Sequence, residues 1–344
     1  MELRRLGHSG LQVSTLGFGA MTFGASGALA GFGNTEQAEA DRMIAMCLDA
    51  GVNLFDTAEG YSAGRSEEIL AAALGSRRPD VIIATKAWNG VEGGANSIGS
   101  SRQHIVQACE ASLRRMKTDY IDLYQIHCFD ALTPLEETVR ALDDLVRAGK
   151  VRYVGASNYA GWQMMKALAI ADAHSASRFI SNQIYYSLIG RDAENEIVPV
   201  SLEEGVGILI WGPLAFGLLS GKFRRGHPDP EGARGIFTGA PAGGISREQL
   251  DDVTDLVIAI ADARNATPAQ VAINYLLRKP GVTSAFFGAR NEAQLKDNLG
   301  AASWRLSDEE MQRLDAAYPP RLPYPLWVQR NIFGVRNPPP PTII

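Results

Sequence analysis

Eight short, mostly apolar runs, each closed by a turn and followed by a longer stretch of helical period, constrain this chain more than any other feature. They cover 16–19, 53–56, 81–84, 121–126, 151–154, 179–183, 207–210 and 283–287. Apolar character that is continuous rather than alternating is what parallel strands require when helices cover both faces of the sheet. Several of the intervening stretches carry start signals. Thr133, Ser246, Thr267 and Ser307 each precede Glu or Gln by three positions, and Pro134 and Pro268 follow as first helical residues; this is the capping pattern of a helix N-terminus. Ser66, ahead of Glu67 and Glu68, reads as a further cap.

Eight strands alternating with helices predict a (β/α)8 barrel, with a doubly wound sheet as the alternative. A dinucleotide-binding doubly wound sheet wants GxGxxG after its first strand, and Gly17-Phe18-Gly19-Ala20-Met21-Thr22 lacks the third glycine. The chain's 344 residues suit one barrel at 1–318 followed by a tail at 319–344. Three stretches fall outside the repeat. Residues 3–13 read as a hairpin around Gly7-His8-Ser9-Gly10, a plug beneath the barrel. Residues 217–244, rich in Gly, Pro and Arg, read as a long mobile loop. The tail, with its run Pro338-Pro339-Pro340-Pro341, favours extended polyproline II.

A net charge of -5 without clustered Lys or Arg excludes a dedicated nucleic-acid surface. Neither a leader-like apolar N-terminus nor an eighteen-residue apolar run is present, so a soluble, cytoplasmic protein is expected. Cys47, Cys109 and Cys128 form no CxxC pair and are expected to be free thiols. His127-Cys128 finds no third ligand at a recognisable spacing, so no metal is expected. His8, His104, His174 and His227 read as solvated. Nothing in the sequence marks an oligomeric interface.

In a barrel the site is built at the C-terminal ends of the strands, so the first polar residues after each run are the candidates. These are Asp56 with Tyr61, Lys86, His127, Ser157 with Asn158, Gln183, Trp211, and Gly288 with Arg290. Taken singly, Asp56 and Lys86 fit a structural ion pair and His127 a satisfied core histidine. Arriving together after successive strands, they fit chemistry. A free phenol titrates near ~10; an adjacent Lys86 stabilises the phenolate and brings Tyr61 towards the working pH. Asp56 holds Lys86 charged, and His127 donates to a developing oxyanion. Such an array reduces a carbonyl if something supplies a hydride. Trp211 offers a flat surface for a nicotinamide, Ser157, Asn158 and Gln183 match its carboxamide, and Gly288-Ala289-Arg290 opens a helix whose N-terminus suits phosphate.

Seven segments, in order, carry a family resemblance: Gly51-Val52-Asn53-Leu54-Phe55-Asp56-Thr57-Ala58-Glu59-Gly60-Tyr61; Ala84-Thr85-Lys86; Asp122-Leu123-Tyr124-Gln125-Ile126-His127; Gly155-Ala156-Ser157-Asn158; Gln183 with Tyr185; Trp211-Gly212-Pro213-Leu214 with Gly217-Leu218-Leu219-Ser220-Gly221; and Gly288-Ala289-Arg290 with Gln294 and Asn298. The chain closely resembles the aldo-keto reductases over roughly 3–317, and its opening looks like the hairpin of the bacterial and channel-subunit-like branches. The resemblance implies a catalytic tetrad of Asp56, Tyr61, Lys86 and His127, with Tyr61 the general acid. It implies NADPH as cofactor, bound without a doubly wound sheet, and a small carbonyl compound as substrate. Further implied cofactor contacts are Gly19, Met21, Thr22, Gly212, Pro213, Leu214, Gly217 and Leu219, then Lys222, Arg225, Phe287, Gln294 and Asn298. Phe23, Tyr61, Trp88, His127 and Phe129 are expected to line the substrate pocket, with Met21, the 217–244 loop and Trp327 as further influences on specificity.

Two departures stand out: Trp211-Gly212 where many relatives have Tyr-Ser, and Ser62-Ala63-Gly64 where Gly-x-Gly is usual. They bear on substrate and cofactor geometry rather than on the tetrad. Two other functions remain open at this point. One is a dinucleotide-sensing regulatory subunit, and the other is a lyase or isomerase barrel binding a phosphorylated substrate at Arg290, for which no base or metal set is visible.

Overall fold

A computed structural model describes residues 1–24, 34–91, 93–228 and 244–332. Strands β1 (Leu3–Arg5) and β2 (Gln12–Ser14) pair antiparallel as the expected hairpin. Then come β3 (Leu16–Gly19), β4 (Leu54–Asp56), β5 (Ile82–Ala87), β6 (Ile121–Ile126), β7 (Val151–Ser157), β8 (Phe179–Tyr185), β9 (Gly207–Trp211) and β10 (Val282–Phe287). Each pairs in parallel with the next, and β10 returns to β3 to close a barrel. Closure decides for the (β/α)8 barrel over the open, doubly wound sheet.

Alternation along the strands sorts their side chains between two cores. Phe55, Ile83, Tyr124, Val154 and Ile210 belong to the large core shared with helical residues such as Met43, Ile44, Ile105 and Val139. Leu54, Ala84, Leu123, Leu209 and Phe286 form a second cluster with Leu6 and Val13, so the hairpin plugs the N-terminal end of the barrel. Gly17 is required there: a Cβ at that position would lie 2.6 Å from the Phe286 ring. Burying each such Leu or Phe contributes roughly 1.5–3 kcal/mol. Two residues further along the same strands, the inward positions carry Asp56, Lys86, Gln125 and Trp211. The barrel therefore turns from apolar to ionisable within one step of the pleat.

The side chains of Ser246, Thr267 and Ser307 cap their helices as expected. Thr133 does not. Its hydroxyl donates to Asp130 at 2.7 Å, and the helix Leu135–Arg147 starts from Pro134 without a side-chain cap. Ser66 lies inside the helix Arg65–Leu74, behind Gly64 at φ 87. Its hydroxyl is taken by the Ala20 carbonyl (2.7 Å) and the Thr57 hydroxyl (2.9 Å), which leaves none for the first turn. Ser101 and Asn291, not singled out from sequence, cap the helices Arg102–Met116 and Glu292–Leu299.

The tail is not extended throughout, because Leu326–Ile332 forms a short helix; the proline run at 338–341 lies outside the described residues. Of the expected 217–244 loop, 229–243 lie outside them too, and the part before it holds the 3-10 turn Ala215–Gly217. Cys47, Cys109 and Cys128 are free thiols. Among the described residues no helix is long and apolar enough to cross a membrane.

Candidate active site

Asp56 ends β4 and Lys86 sits one position before the end of β5, so adjacent parallel strands deliver both to the same rim. Lys86 Nζ donates to Asp56 Oδ2 at 2.6 Å, to the Thr57 carbonyl at 2.9 Å and to Tyr61 Oη at 3.4 Å. The ammonium is fully buried and Asp56 is 4% exposed. Asp56 Oδ1 accepts a second bond from Gln183 Nε2 at 2.7 Å. An ion pair this deep survives only if its remaining valences are met, and here the Gln183 amide and the Thr57 carbonyl meet them. Burial works against the Lys86 charge, but Asp56 and Tyr61 together outweigh it and the lysine stays protonated, its pKa above the ordinary value.

Tyr61 opens a 3-10 turn, Tyr61–Gly64, in which Ser62 (φ 52) and Ala63 (φ 53) are left-handed. That conformation costs a non-glycine residue about 1–2 kcal/mol, so the departure from Gly-x-Gly loads strain into the turn that presents Tyr61. The expectation that Lys86 brings the phenol towards neutral pH needs correcting. Burial pushes Tyr61 up and the Lys86 charge offsets only part of it, so the phenol stays protonated. His127 follows β6, and its ring meets that of Tyr61 edge-on at 5.7 Å between centroids. Burial first, and the Lys86 charge second, lower its pKa to about 3, so the imidazole is neutral.

The structure also gathers the residues expected to meet a nicotinamide. Ser157 Oγ donates to the Gln183 carbonyl (2.9 Å), and Asn158, left-handed at φ 57, donates from Nδ2 to the His127 carbonyl (2.9 Å). Its Oδ1 accepts from the indole Nε1 of Trp211 at 2.9 Å. Trp211 packs against Tyr185 at 5.1 Å and Phe216 at 6.2 Å. After β10, a Cβ at Gly288 would meet the Gly19 carbonyl at 3.7 Å and one at Gly19 the Phe287 carbonyl at 3.8 Å, ordinary contacts between neighbouring strand ends. Asn298 Nδ2 donates to the Gly288 carbonyl, and Gln294 Oε1 accepts from the Arg290 amide. Thr22 is buried with an unpartnered hydroxyl.

Other expectations fare differently. Phe23 is fully buried against Phe18, 5.5 Å between ring centroids, and is not exposed at the mouth. Leu219 is in the core, and only its backbone can face a ligand. Arg225 is engaged by Asp252 and Asp255 of the helix Arg247–Arg264. Phe129 lies edge-on between Tyr159 and Trp162, and Trp88 is half-buried. His104 is not solvated: at 3% exposure its Nε2 meets Glu59 Oε1 at 2.9 Å, while the same oxygen accepts from the Trp88 amide at 2.7 Å. Glu59 sits between Asp56 and Tyr61, and that position was the only sequence signal for this buried node.

The sequence matches the profile of the Aldo/keto reductase family over residues 15–319. Among relatives, it is 39% identical to a probable voltage-gated potassium channel subunit beta of Arabidopsis thaliana, covering 88% of this chain and 91% of that one. It is 35% identical to the uncharacterised oxidoreductase YrpG of Bacillus subtilis (93% and 96% covered). It is also 35% identical to versiconal hemiacetal acetate reductase of Aspergillus parasiticus (94% and 99%).

Proposed function

The chain belongs to the aldo/keto reductase family and is an oxidoreductase; from that premise we propose that it reduces an aldehyde or ketone to the alcohol with NADPH, Tyr61 delivering the proton. The observation that carries this reading is the buried chain of contacts from Gln183 through Asp56 and Lys86 to Tyr61 Oη. It ends on a protonated phenol, which is a donor ready for use, and an ammonium next to the oxygen that will become negative. Asp56 keeps that ammonium in place. Neutral His127 gives a hydrogen bond to the carbonyl oxygen without surrendering a proton of its own.

NADPH, when bound, supplies the hydride that none of these side chains can. The residues present fit it. Trp211 presents a half-exposed ring, the Ser157, Asn158 and Gln183 cluster offers amide and hydroxyl partners, and Thr22 has a buried hydroxyl without one. The N-terminus of Glu292–Leu299 and the exposed Arg290, which pairs with no carboxylate among the described residues, suit phosphates.

Replacing Tyr61 tests the proposal. Tyr61→Phe removes the transferable proton and should lower turnover by about 10² to 10⁴-fold while leaving the dinucleotide dissociation constant close to that of wild type. A variant that keeps a tenth of the turnover would sink the assignment. The relatives named as channel subunits bring a second reading, a dinucleotide-sensing protein that does not turn over; the complete Asp56–Lys86–Tyr61 chain favours catalysis.

A further inference from the structure

The loop after β5 meets His127, which follows the neighbouring strand β6, through a residue that the proposed chemistry does not use. Asn89 Nδ2 lies 3.4 Å from His127 Nδ1. Asn89 is exposed, yet its place is fixed from several sides. On the backbone, the Trp88 amide donates to Glu59 Oε1, an oxygen that His104 Nε2 also meets, so the loop hangs from a fully enclosed carboxylate. The Trp88 carbonyl accepts from the Gly99 amide at 2.9 Å, which closes the loop. On the packing side, a Cβ at Gly60 would lie 2.7 Å from Asn89 Cβ and 3.1 Å from its carbonyl oxygen. Only glycine, immediately before Tyr61, lets Asn89 lie there.

A carboxamide nitrogen can only donate. For that contact to be a hydrogen bond the ring nitrogen facing it must be the bare one, and a neutral imidazole so held carries its proton on Nε2. We propose that Asn89 is a positioning residue which, anchored by the Glu59–His104 node and seated on Gly60, holds His127 as the Nε2–H tautomer. The hydrogen that His127 can offer at the mouth is thereby committed to one nitrogen. Its use on a carbonyl oxygen rests on the carbonyl-reduction reading above; the tautomer itself does not. The left-handed turn after Tyr61 and the loop carrying Asn89 thus meet at Gly60, so the two groups placed to handle protons share one support.

The test is long-range proton–nitrogen NMR on unliganded protein labelled at histidine, with the His127 ring assigned by its loss in His127→Gln. In wild type, the proton should sit on Nε2 with Nδ1 bare. Asn89→Asp replaces the donor with an acceptor of the same shape and should shift a proton onto Nδ1. Asn89→Leu removes the donor and should move the Nδ1 resonance towards that of an unbonded nitrogen, with Nδ1 still bare. Melting temperatures of both variants should stay near wild type, since Asn89 is exposed. A wild-type ring protonated on Nδ1, an Asn89→Asp ring protonated on Nε2 alone, or an Asn89→Leu variant whose Nδ1 resonance does not move would each overturn the proposal. None of these measurements needs turnover. A protein that fails to reduce carbonyls could still pass them, and an active reductase could fail them.

Discussion

The two ends of this barrel are built from the same strands and behave as different materials. At the plugged end, Leu54, Ala84, Leu123, Leu209 and Phe286 close on Leu6 and Val13, with Leu11, Ile82 and Ile180 packed against them. One pleat further on, Asp56, Lys86, Gln125 and Trp211 occupy the matching inward positions, and a fully buried ammonium rests on a carboxylate. The lower layer gains free energy simply by leaving water. The upper one loses solvation and recovers it only through particular partners at particular distances. Stability should therefore reside mainly at the plug, and chemistry at the rim. Substitutions can be chosen to break that division.

Lys86→Met should have the largest effect, because the residue serves both roles. Removing one partner of a buried pair costs about 3–5 kcal/mol, and Gln183 alone remains to satisfy Asp56, so a calorimetric melt should fall well below wild type. Turnover should be lost as well. In any residual alcohol oxidation, the basic limb of the pH profile should move to higher pH, since the ammonium partly counters the upward push of burial on Tyr61. A limb that stays put would separate Tyr61 from Lys86.

Leu123→Ala should do the opposite at the plugged end. A buried Leu→Ala change costs about 2–5 kcal/mol, read as a lower denaturant midpoint, while turnover in native conditions stays within a few-fold. If turnover fell as far as stability, the two ends would not be separable. Arg290→Ala should leave stability alone. Bonds to charged groups contribute roughly 1.5–3 kcal/mol, so NADPH should bind about tenfold to a hundredfold more weakly, with NADH unchanged, by quenching of protein fluorescence. Equal losses for both would tie Arg290 to the pyrophosphate or the loop.

The effect that vanishes at neutral pH concerns His127. Its folded pKa of about 3 lies below the ordinary 6.5. Between those values the unfolded chain takes up a proton that the folded protein does not, so this contribution to stability is complete above the upper value and fades as pH falls through the window. The fall in melting temperature with acidification should be shallower in His127→Gln; identical slopes would mean that the imidazole is not neutral in the fold.

The barrel was legible because its signal repeats: eight apolar runs with helical stretches between them point to a parallel sheet of eight strands even where individual caps mislead, and its closure is what the structure adds. Thr133 and Ser66 misled because a hydroxyl can bond any nearby acceptor, and Asp130 and Ala20 come from outside the capping pattern. The rim residues were legible because strand ends converge. Phe23 was misplaced because an aromatic near a strand end can turn into the core as readily as out of it. His104 looked solvated because its partner, Glu59, lies 45 residues away in sequence, and no local pattern shows such a pair. Asn89 belongs with it, since a loop residue gains its meaning only once the fold brings Gly60 and His127 alongside.

The central claim, that the ionisable rim is a working carbonyl-reduction site, is met most directly by purified wild-type protein mixed with NADPH and a panel of aldehydes, ketones and quinones. The absorbance of the reduced nicotinamide should fall only when a carbonyl compound is added, with alcohol appearing in equal amount. Tight binding of NADPH with no consumption across the whole panel would contradict the claim and leave a protein that holds the dinucleotide without using it.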